Sequence, residues 1–545
     1  MILGIDVGGT FTDIVLLDNQ QLKLQYKTPT TEDIFSGVLD ALDFILQSVA
    51  PEQIQQLNIS TTIITNALVR SQLDTVQLLV MPGPGLNVVN SFPVKPFCLK
   101  GYVNHLGEIC QELEPQQLLA LPPATNIAIS GKFSVRNPRH EHKLHELLLK
   151  TNPHGNFTLA SQLSGKLNFI RRTNTCYYAL ATRKLLLNFE QMLLKALSAR
   201  KLTCPVNILK ADAGRISFAT ARQNPAELIF TGPAASILGI KALVQPQATC
   251  IALDIGGTTT DISFWADGQA ILDNKGAKIN NYHTSINSFY HHSLGLAGNS
   301  CVQFAAGKFI IGPASATPLI FQGTNLTLTD ILAYLDLISL GDKLLVQTYL
   351  QNNFPQYPAL SVAKQILQIA LEQFKQTIQA LLSELNRQPV YTVADITQPK
   401  LFQPTTLIGV GGAAAGLIPL IAQELALEYI IPEFAAVTNA VGAALAKPTI
   451  MVNLQANTLS GYYTLSQTSQ KFPTPPNFTS QIAYQIAKEH LLALAAQNNL
   501  AIDANDIKVV NHEEYPILQN YHQGLAINLT LQIQPGIAFS LLEVQ

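Results

Sequence analysis

The chain has 545 residues, of which 47% are hydrophobic and only 13% charged, with a formal net charge of −2. That length and apolar content allow several domains with large cores, while the charged share is about half the usual one, so the surface relies on Gln, Asn, Ser and Thr. The near-neutral balance and lack of a basic tract exclude nucleic acid as the favoured partner.

The chain opens MILGIDVGGTFTDIVLLDNQ. The apolar run before Asp6 reads as a buried strand, TDIVLLD as a second strand, and QLKLQY beyond Asp18-Asn19 as a third. Asp6 breaks the first apolar run and no basic segment precedes it, so no signal peptide is expected. IFSGVLDALDFILQSVA, after Thr31-Glu32, is patterned as an amphipathic helix. QLNISTTIITNALV is patterned as a strand entering a Thr/Asn turn, and VQLLVMPGPGLNVV as a strand ending in a Pro/Gly turn. HEHKLHE, residues 140–146, places His142 and Glu146 at i, i+4, a spacing open to a metal, but a solvated helix start accounts for it more simply. Arg171 and Arg172 precede the long helical pattern Thr173–Arg200, read as a connector between halves; an anion clamp and a capped helix start remain open for the pair.

The second half begins near Pro205 with VNILKADAGRIS and PAELIFTGPAASILGIKAL. Then the opening motif returns: LDIGGTTTDISFWADGQ. Asp6 aligns with Asp254, Gly8 with Gly256, Gly9 with Gly257, Thr10 with Thr258, Thr12 with Thr260 and Asp13 with Asp261. Adjacent glycines free the backbone to approach a ligand and offer their N–H groups to an anion. The Thr hydroxyls add donors, and an Asp ending the strand is placed to hold a hard cation through water. Each copy therefore reads as half of a nucleotide phosphate site. Neither a Walker loop nor a dinucleotide fingerprint is present, and a strand rather than a helix follows the turn. Asp13 and Asp261 suit structural hydrogen bonding as well as catalysis. His291-His292 lie beside a glycine loop, 295–298, with a loop-surface or substrate-side role.

LSVAKQILQIALEQFKQTIQALLSELNRQ is a long amphipathic helix. Residues 401–423 carry no charge and are long enough for a membrane span, but Gly411, Gly412, Gly416 and Pro419 make the segment strand, glycine turn and helix start. GVGGAAAG, 409–416, is suited to receive adenosine or phosphate at a helix start; close helix packing is the alternative. Beyond Pro448 the chain turns polar and reads as an α+β appendage. The six cysteines are scattered without CxxC spacing, as expected of buried thiols in a reducing, cytoplasmic setting rather than of zinc ligands or a disulfide framework.

In order along residues 1–447 stand DVGGTFTD, TTIITNAL, FSVRNPRHE, RRTNT, TGPAAS, DIGGTTTD, IGPASA, LTDILAYL, GVGGAAAG and TNAVGAALA. This series resembles the hydantoinase A / 5-oxoprolinase family, within the actin / Hsp70 / sugar-kinase ATPase superfamily. The resemblance implies an α/β, two-lobed actin-like (ribonuclease H-like) fold with duplicated strand-turn-strand phosphate loops. Residues 1–170 would form the first lobe, 171–200 a connecting helix, 201–448 the second lobe with a returning helix at 434–447, and 449–545 a C-terminal α+β domain. It implies ATP and Mg²⁺ as cofactors and ATP-driven opening of a cyclic amide such as hydantoin or 5-oxoproline, through phosphorylation of the amide oxygen. Asp6 and Asp254 would be catalytic and orient the metal. Gly8, Gly9, Thr10, Thr12, Gly256, Gly257, Thr258 and Thr259 would hold phosphates, and Gly411 and Gly412 would meet adenosine. It further implies a separate B-type subunit or a homo-oligomer as partner, and no membrane.

The sequence departs from the family wording at Asn58-Ile59-Ser60, Ala211-Asp212-Ala213-Gly214, GLAGNS (295–300) and TPLIFQG (317–323). These departures leave two alternatives open: a small-molecule kinase of the same superfamily, and a nucleotide-binding regulatory protein without substrate chemistry.

Overall fold

Runs such as ILGIDV and CIALDI are apolar at nearly every position, so both their faces need cover and each belongs in the middle of a sheet. The structure, a computed structural model, describes all residues except 31–33, 122, 274, 388–400, 467–469, 499, 501, 503, 520 and 542–545. It places each run at such a position. The first sheet has six strands in the order Arg215–Ser217, Val206–Leu209, Gln56–Thr61, Ile2–Val7, Phe11–Asp18, Gln21–Pro29. Its three inner strands from Val206–Leu209 to Ile2–Val7 are parallel, and antiparallel hairpins flank them. The second sheet runs Gln269–Ala270, Thr260–Ala266, Cys250–Ile255, Thr406–Val410, Glu428–Ile430, with His291–Leu294 also pairing Thr260–Ala266. In it, too, a central strand pairs antiparallel with its hairpin mate and parallel with its other neighbour.

Two helices stand between these sheets. In one cluster, Ala242 of Thr231–Leu243 and Ala440, Val441 and Ala444 of Thr438–Leu445 pack with Val15 and Leu17 of the first sheet. In another, Ile237 and Ile240 pack with Ala252, Trp265 and Ile408 of the second. The helices cross where both carry glycine: a Cβ on Gly442 would lie 1.9 Å from the Ala235 carbonyl oxygen, and one on Gly239 2.1 Å from that of Thr438. Gly4 lets the first strand approach the same helix, since its Cβ would meet the Ala440 oxygen at 2.1 Å. No side chain fits at these contacts.

The far face of the first sheet is covered by Ile34–Leu46 and by the long helix Phe169–Ala199. The Thr31-Glu32 pair expected before the former lies outside the described residues. The long helix starts earlier than its pattern predicts, because the Asn168 side chain caps it by accepting from the Arg171 backbone N–H at 3.1 Å. It is built into the largest core through Cys176, Tyr178 and Leu193, and it also backs a four-stranded parallel sheet, Asn156–Leu159, Asn126–Gly131, Gln77–Met81, Phe97–Cys98. The strands Val206–Leu209 and Arg215–Ser217, expected with the second half, pair into the first sheet, where Ile208 and Leu209 are buried.

The uncharged stretch 401–423 contains the strand Thr406–Val410, a glycine turn and the start of the helix Ala414–Leu425. Among the described residues no helix is long and apolar enough to cross a membrane. Beyond residue 450, five antiparallel strands form a sheet covered by the helix Ser480–Gln497. Gln455 ties it back by donating to the Gly165 carbonyl at 2.6 Å.

The helix crossing yields a stability test. Gly442→Ala is expected to cost about 1–3 kcal/mol by overpacking. Gly536→Ala, where a Cβ meets nothing within 4 Å, should stay within about 0.5 kcal/mol of wild type. Paired denaturant titrations check this; equal midpoints for the two variants contradict the crossing.

Candidate functional site

In each hairpin the antiparallel register sets two carboxylates side by side. Asp6 pairs with Asp13, and Asp254 with Asp261. Each turn beyond them closes alike: the Gly8 N–H donates to the Phe11 carbonyl at 3.0 Å, and the Gly256 N–H to the Thr259 carbonyl at 3.1 Å. The two turns also touch. A Cβ on Gly257 would stand 3.0 Å from Thr10 Cγ2, so glycine there lets the first turn seat its threonine against the second.

A cleft of about 400 Å³ opens around this contact. Asp6, Gly8, Gly9, Thr10, Asp254, Gly256, Gly257, Thr258, Thr259, Gly411 and Gly412 all line it. Thr12 does not. It is fully buried behind the turn, its hydroxyl 3.3 Å from that of Thr30. The alternation of a strand explains this: Thr12 points away from the face that carries Asp13. Its counterpart Thr260 is likewise buried and donates to the Leu296 carbonyl at 2.6 Å.

Asn439, on the helix Thr438–Leu445, reaches between the two aspartates. Its Nδ2 donates to Asp254 Oδ2 at 3.0 Å. Asp6 Oδ1 is buried without a hydrogen-bond partner. Burial, with the neighbouring Asp13 charge, raises the Asp6 carboxyl to about 7. Burial and Asp261 raise that of Asp254 to about 6, against its bond from Asn439. Uncompensated acid of this kind, with an orphaned oxygen, fits a hard cation. Asp13 is different: Lys27 Nζ lies 2.8 Å from one of its oxygens and 2.9 Å from the other, and also donates to the Ala436 carbonyl.

Gly411 takes φ 90°, and a Cβ there would strike the Ile255 oxygen at 2.5 Å and Asp254 Oδ1 at 2.7 Å. Its backbone thus lies against the aspartate, which only glycine permits. Gly412 faces open space. At the opposite end stand Thr65, Asn66, Val69, Phe230, His291 and Ser293. Lys27, Asn66, Phe230 and Asn439 were not singled out from the sequence. Asn66 and Asn439 lie inside words already quoted, TTIITNAL and TNAVGAALA, whereas Lys27 sits in a polar edge strand with no distinguishing pattern.

Other sequence candidates fall outside the cleft. Arg172 is fully buried and donates to the carbonyls of Lys166, Gly131 and Lys132 at 2.7–2.9 Å, so it clamps backbone rather than an anion. Arg171 lies in the first turn of the same helix, outside the cleft. In HEHKLHE, Glu141 is buried and accepts from the backbone N–H groups of Gly131 and Ser161, and no group of three or more His, Cys, Asp and Glu side chains placed to hold a metal occurs among the described residues. In the ADAG word, Asp212 is a staple: it meets Lys210 Nζ and Gln532 Nε2, each at 3.1 Å, tying the first sheet to the C-terminal one. Ala213 there holds φ 66°, a conformation glycine adopts at lower cost.

The sequence model described as Hydantoinase/oxoprolinase matches residues 172–452, and that of the Hydantoinase/oxoprolinase N-terminal region matches 2–151. The chain is 24% identical over 493 residues to caprolactamase subunit alpha of Pseudomonas jessenii, covering 81% of this chain and 70% of that protein. A nucleotide-free acetone carboxylase structure superposes with a TM-score of 0.71 at 15% identity, over 99% of this chain and 88% of that one. The ATP-dependent caprolactamase structure from Pseudomonas jessenii gives 0.69 at 17% identity, over 98% and 87%. Both structures share this chain's mixed α/β fold.

The Asp6 environment has a consequence for stability. A carboxyl raised on folding destabilises the folded state as pH rises from the unfolded value of about 4 to the folded value of about 7, and by a constant amount above. In metal- and nucleotide-free protein, the stability gain of Asp6→Asn over wild type should therefore grow across that window and level off above it. Thermal melts from pH 4.5 to 8.5 check this; a difference independent of pH contradicts the buried-carboxyl account.

Proposed function

This chain belongs to the hydantoinase/oxoprolinase family, and on that premise we propose that it is an ATP-dependent enzyme that opens a cyclic amide by phosphorylating its oxygen. The observation that carries the reading is the meeting of the two Gly-Gly-Thr turns, Thr10 against Gly257, over the buried Asp6 and the half-buried Asp254. The turn N–H groups not taken by the closing bonds of Gly8 and Gly256, together with the hydroxyls of Thr10, Thr258 and Thr259, would suit a polyphosphate. In this reading Gly8, Gly9, Thr10, Gly256, Gly257, Thr258 and Thr259 hold the phosphates, while Gly411 and Gly412 receive adenosine.

Asp6 and Asp254 would hold Mg²⁺ through water, which the orphaned Asp6 oxygen supports. When bound, the ion would neutralise phosphate charge. The chain's own residues do the rest. The turns fix the phosphates, Asn439 sets the Asp254 carboxylate, and Lys27 fixes Asp13 beside Asp6. A lactam is a poor electrophile, and O-phosphorylation supplies a leaving group for attack by water. Positioning and charge neutralisation account for most of such catalysis.

The same reading makes the fold actin-like. One lobe is centred on the first sheet and one on the second, the helix around 434–447 returns between them, and 449–545 is a further α+β domain. The name of the Pseudomonas relative, subunit alpha, supports a partner subunit here as well, and we place the hydrolytic step with that partner. The six cysteines are free, which suits a cytoplasmic protein, but only Cys176, Cys250 and Cys301 are buried as expected, while Cys98 and Cys110 are exposed.

Purified protein, with and without the product of a neighbouring partner gene, is to be incubated with Mg·ATP and hydantoin, 5-oxoproline or caprolactam and followed by ³¹P NMR. Lactam-dependent free phosphate and a ring-opened product are expected, and Asp254→Ala should lower that rate on the order of 100-fold or more. A stable phosphorylated product would instead identify a kinase. Nucleotide binding with no turnover in any mixture would identify a regulatory protein.

A further inference from the structure

The second sheet gives the cleft a direction. Gly411 follows the strand Thr406–Val410, the phosphate turn follows Cys250–Ile255 one strand over, and His291–Leu294 lies beyond Thr260–Ala266 on the opposite side. A nucleotide whose base lies at Gly411-Gly412 and whose phosphates lie in the turns therefore points its terminal phosphate toward His291. On the first-sheet side the same end is formed by Thr65, Asn66 and Val69 of the helix Ile63–Val69, with Phe230 beside them.

His291 is held there in a defined state. Its Nδ1 lies 3.0 Å from the Phe289 carbonyl oxygen. A carbonyl only accepts, so Nδ1 carries a proton, and the form of the ring that can act as a base has its lone pair on Nε2. The ring packs edge-on against Phe230, centroids 4.9 Å apart at 68°. Phe230 is itself held at φ 63°, a left-handed conformation that favours glycine. Its N–H donates to the Thr65 hydroxyl at 3.3 Å. Asp261 faces the same end, its carboxyl raised by burial and drawn down by His291 and His292.

We propose that this end of the cleft binds the phosphoryl acceptor and that His291 Nε2 is the catalytic base that takes the acceptor's proton during transfer. The inference rests on the nucleotide reading above. For a lactam the step balances without a further reactant. The amide oxygen bonds to the terminal phosphorus, the bond from that phosphorus to the bridging oxygen breaks, and its electron pair leaves on ADP. The amide N–H proton passes to Nε2, leaving a carbon–nitrogen double bond in the ring. The imidazolium formed is opposed by Asp261. Phe230 and Val69 supply apolar walls, and Thr65, Asn66 and Ser293 supply polar ones, so the acceptor class is a small, largely apolar ring bearing one secondary amide.

Two variants separate a base from a structural residue. His291→Asn keeps a donor near the Nδ1 position for the Phe289 carbonyl but has no base. It should bind ATP within about twofold of wild type yet release phosphate on the order of 100-fold more slowly. His291→Ala should lose activity similarly and recover at least tenfold when imidazole is added. Nucleotide affinity is measured by calorimetry, and phosphate release in the presence of the partner-gene product, with caprolactam as the probe acceptor and with water alone. Retention of phosphate release within threefold in His291→Asn, or no imidazole recovery in His291→Ala, overturns the proposal while leaving the nucleotide reading standing. Failure of wild-type protein to bind ATP overturns both.

Discussion

The site depends on the distance between two glycine turns that lie about half a chain apart in sequence. Thr10 reaches Gly257 only because the sheets that carry them are held close, and that spacing is set by the helices Thr231–Leu243 and Thr438–Leu445. At Gly239, Gly442 and Gly4 the backbones meet with no room for a side chain. A methyl group at any of them would push a sheet outward and part the turns. The glycines of TGPAASILG and TNAVGAALA thus serve the cleft without lining it at those positions. Asn439 lies on the same helix as Gly442, so one short element both sets the spacing and contacts the aspartate.

Burial makes the aspartates costly. Asp6 and Asp254 face other acids across their hairpins, and only Asp13 has a close lysine. A folded protein keeps such a cluster where a ligand compensates for it. The two ends of the cleft differ in kind. At Gly411-Gly412 the wall is bare backbone with open space, whereas at His291 it is a set of aromatic, hydroxyl and amide side chains. That asymmetry is what the proposal of a nucleotide end and an acceptor end rests on.

Much of this was legible in the sequence. The repeated DxGGTxTD carried the hairpins, the turns and their aspartates, because a motif duplicated at that length constrains both backbone and side chain. The glycine turn at 411–412 was legible from its place between an apolar strand and a helix. Thr12 was misassigned because motif identity does not say which strand face a residue occupies; Thr12 and Thr260 match but both turn inward. Arg172 read as an anion clamp or part of a capped helix start, and Glu141 as part of a solvated helix start, yet both are buried backbone clamps. The long helix read as a connector because a helical pattern cannot say which core a helix joins; its partners are set by sheets more distant in sequence. Lys27 and Phe230 gave no local signal, since their roles arise from tertiary contact alone.

The central claim is that both turns close on one polyphosphate. Hydrogen–deuterium exchange on the full-length protein, with and without Mg²⁺ and a non-hydrolysable ATP analogue, addresses it most directly. The account predicts that amides in 8–10, 256–259 and 411–412 gain protection together, with one concentration dependence. Protection of only one turn, or of neither, would contradict it.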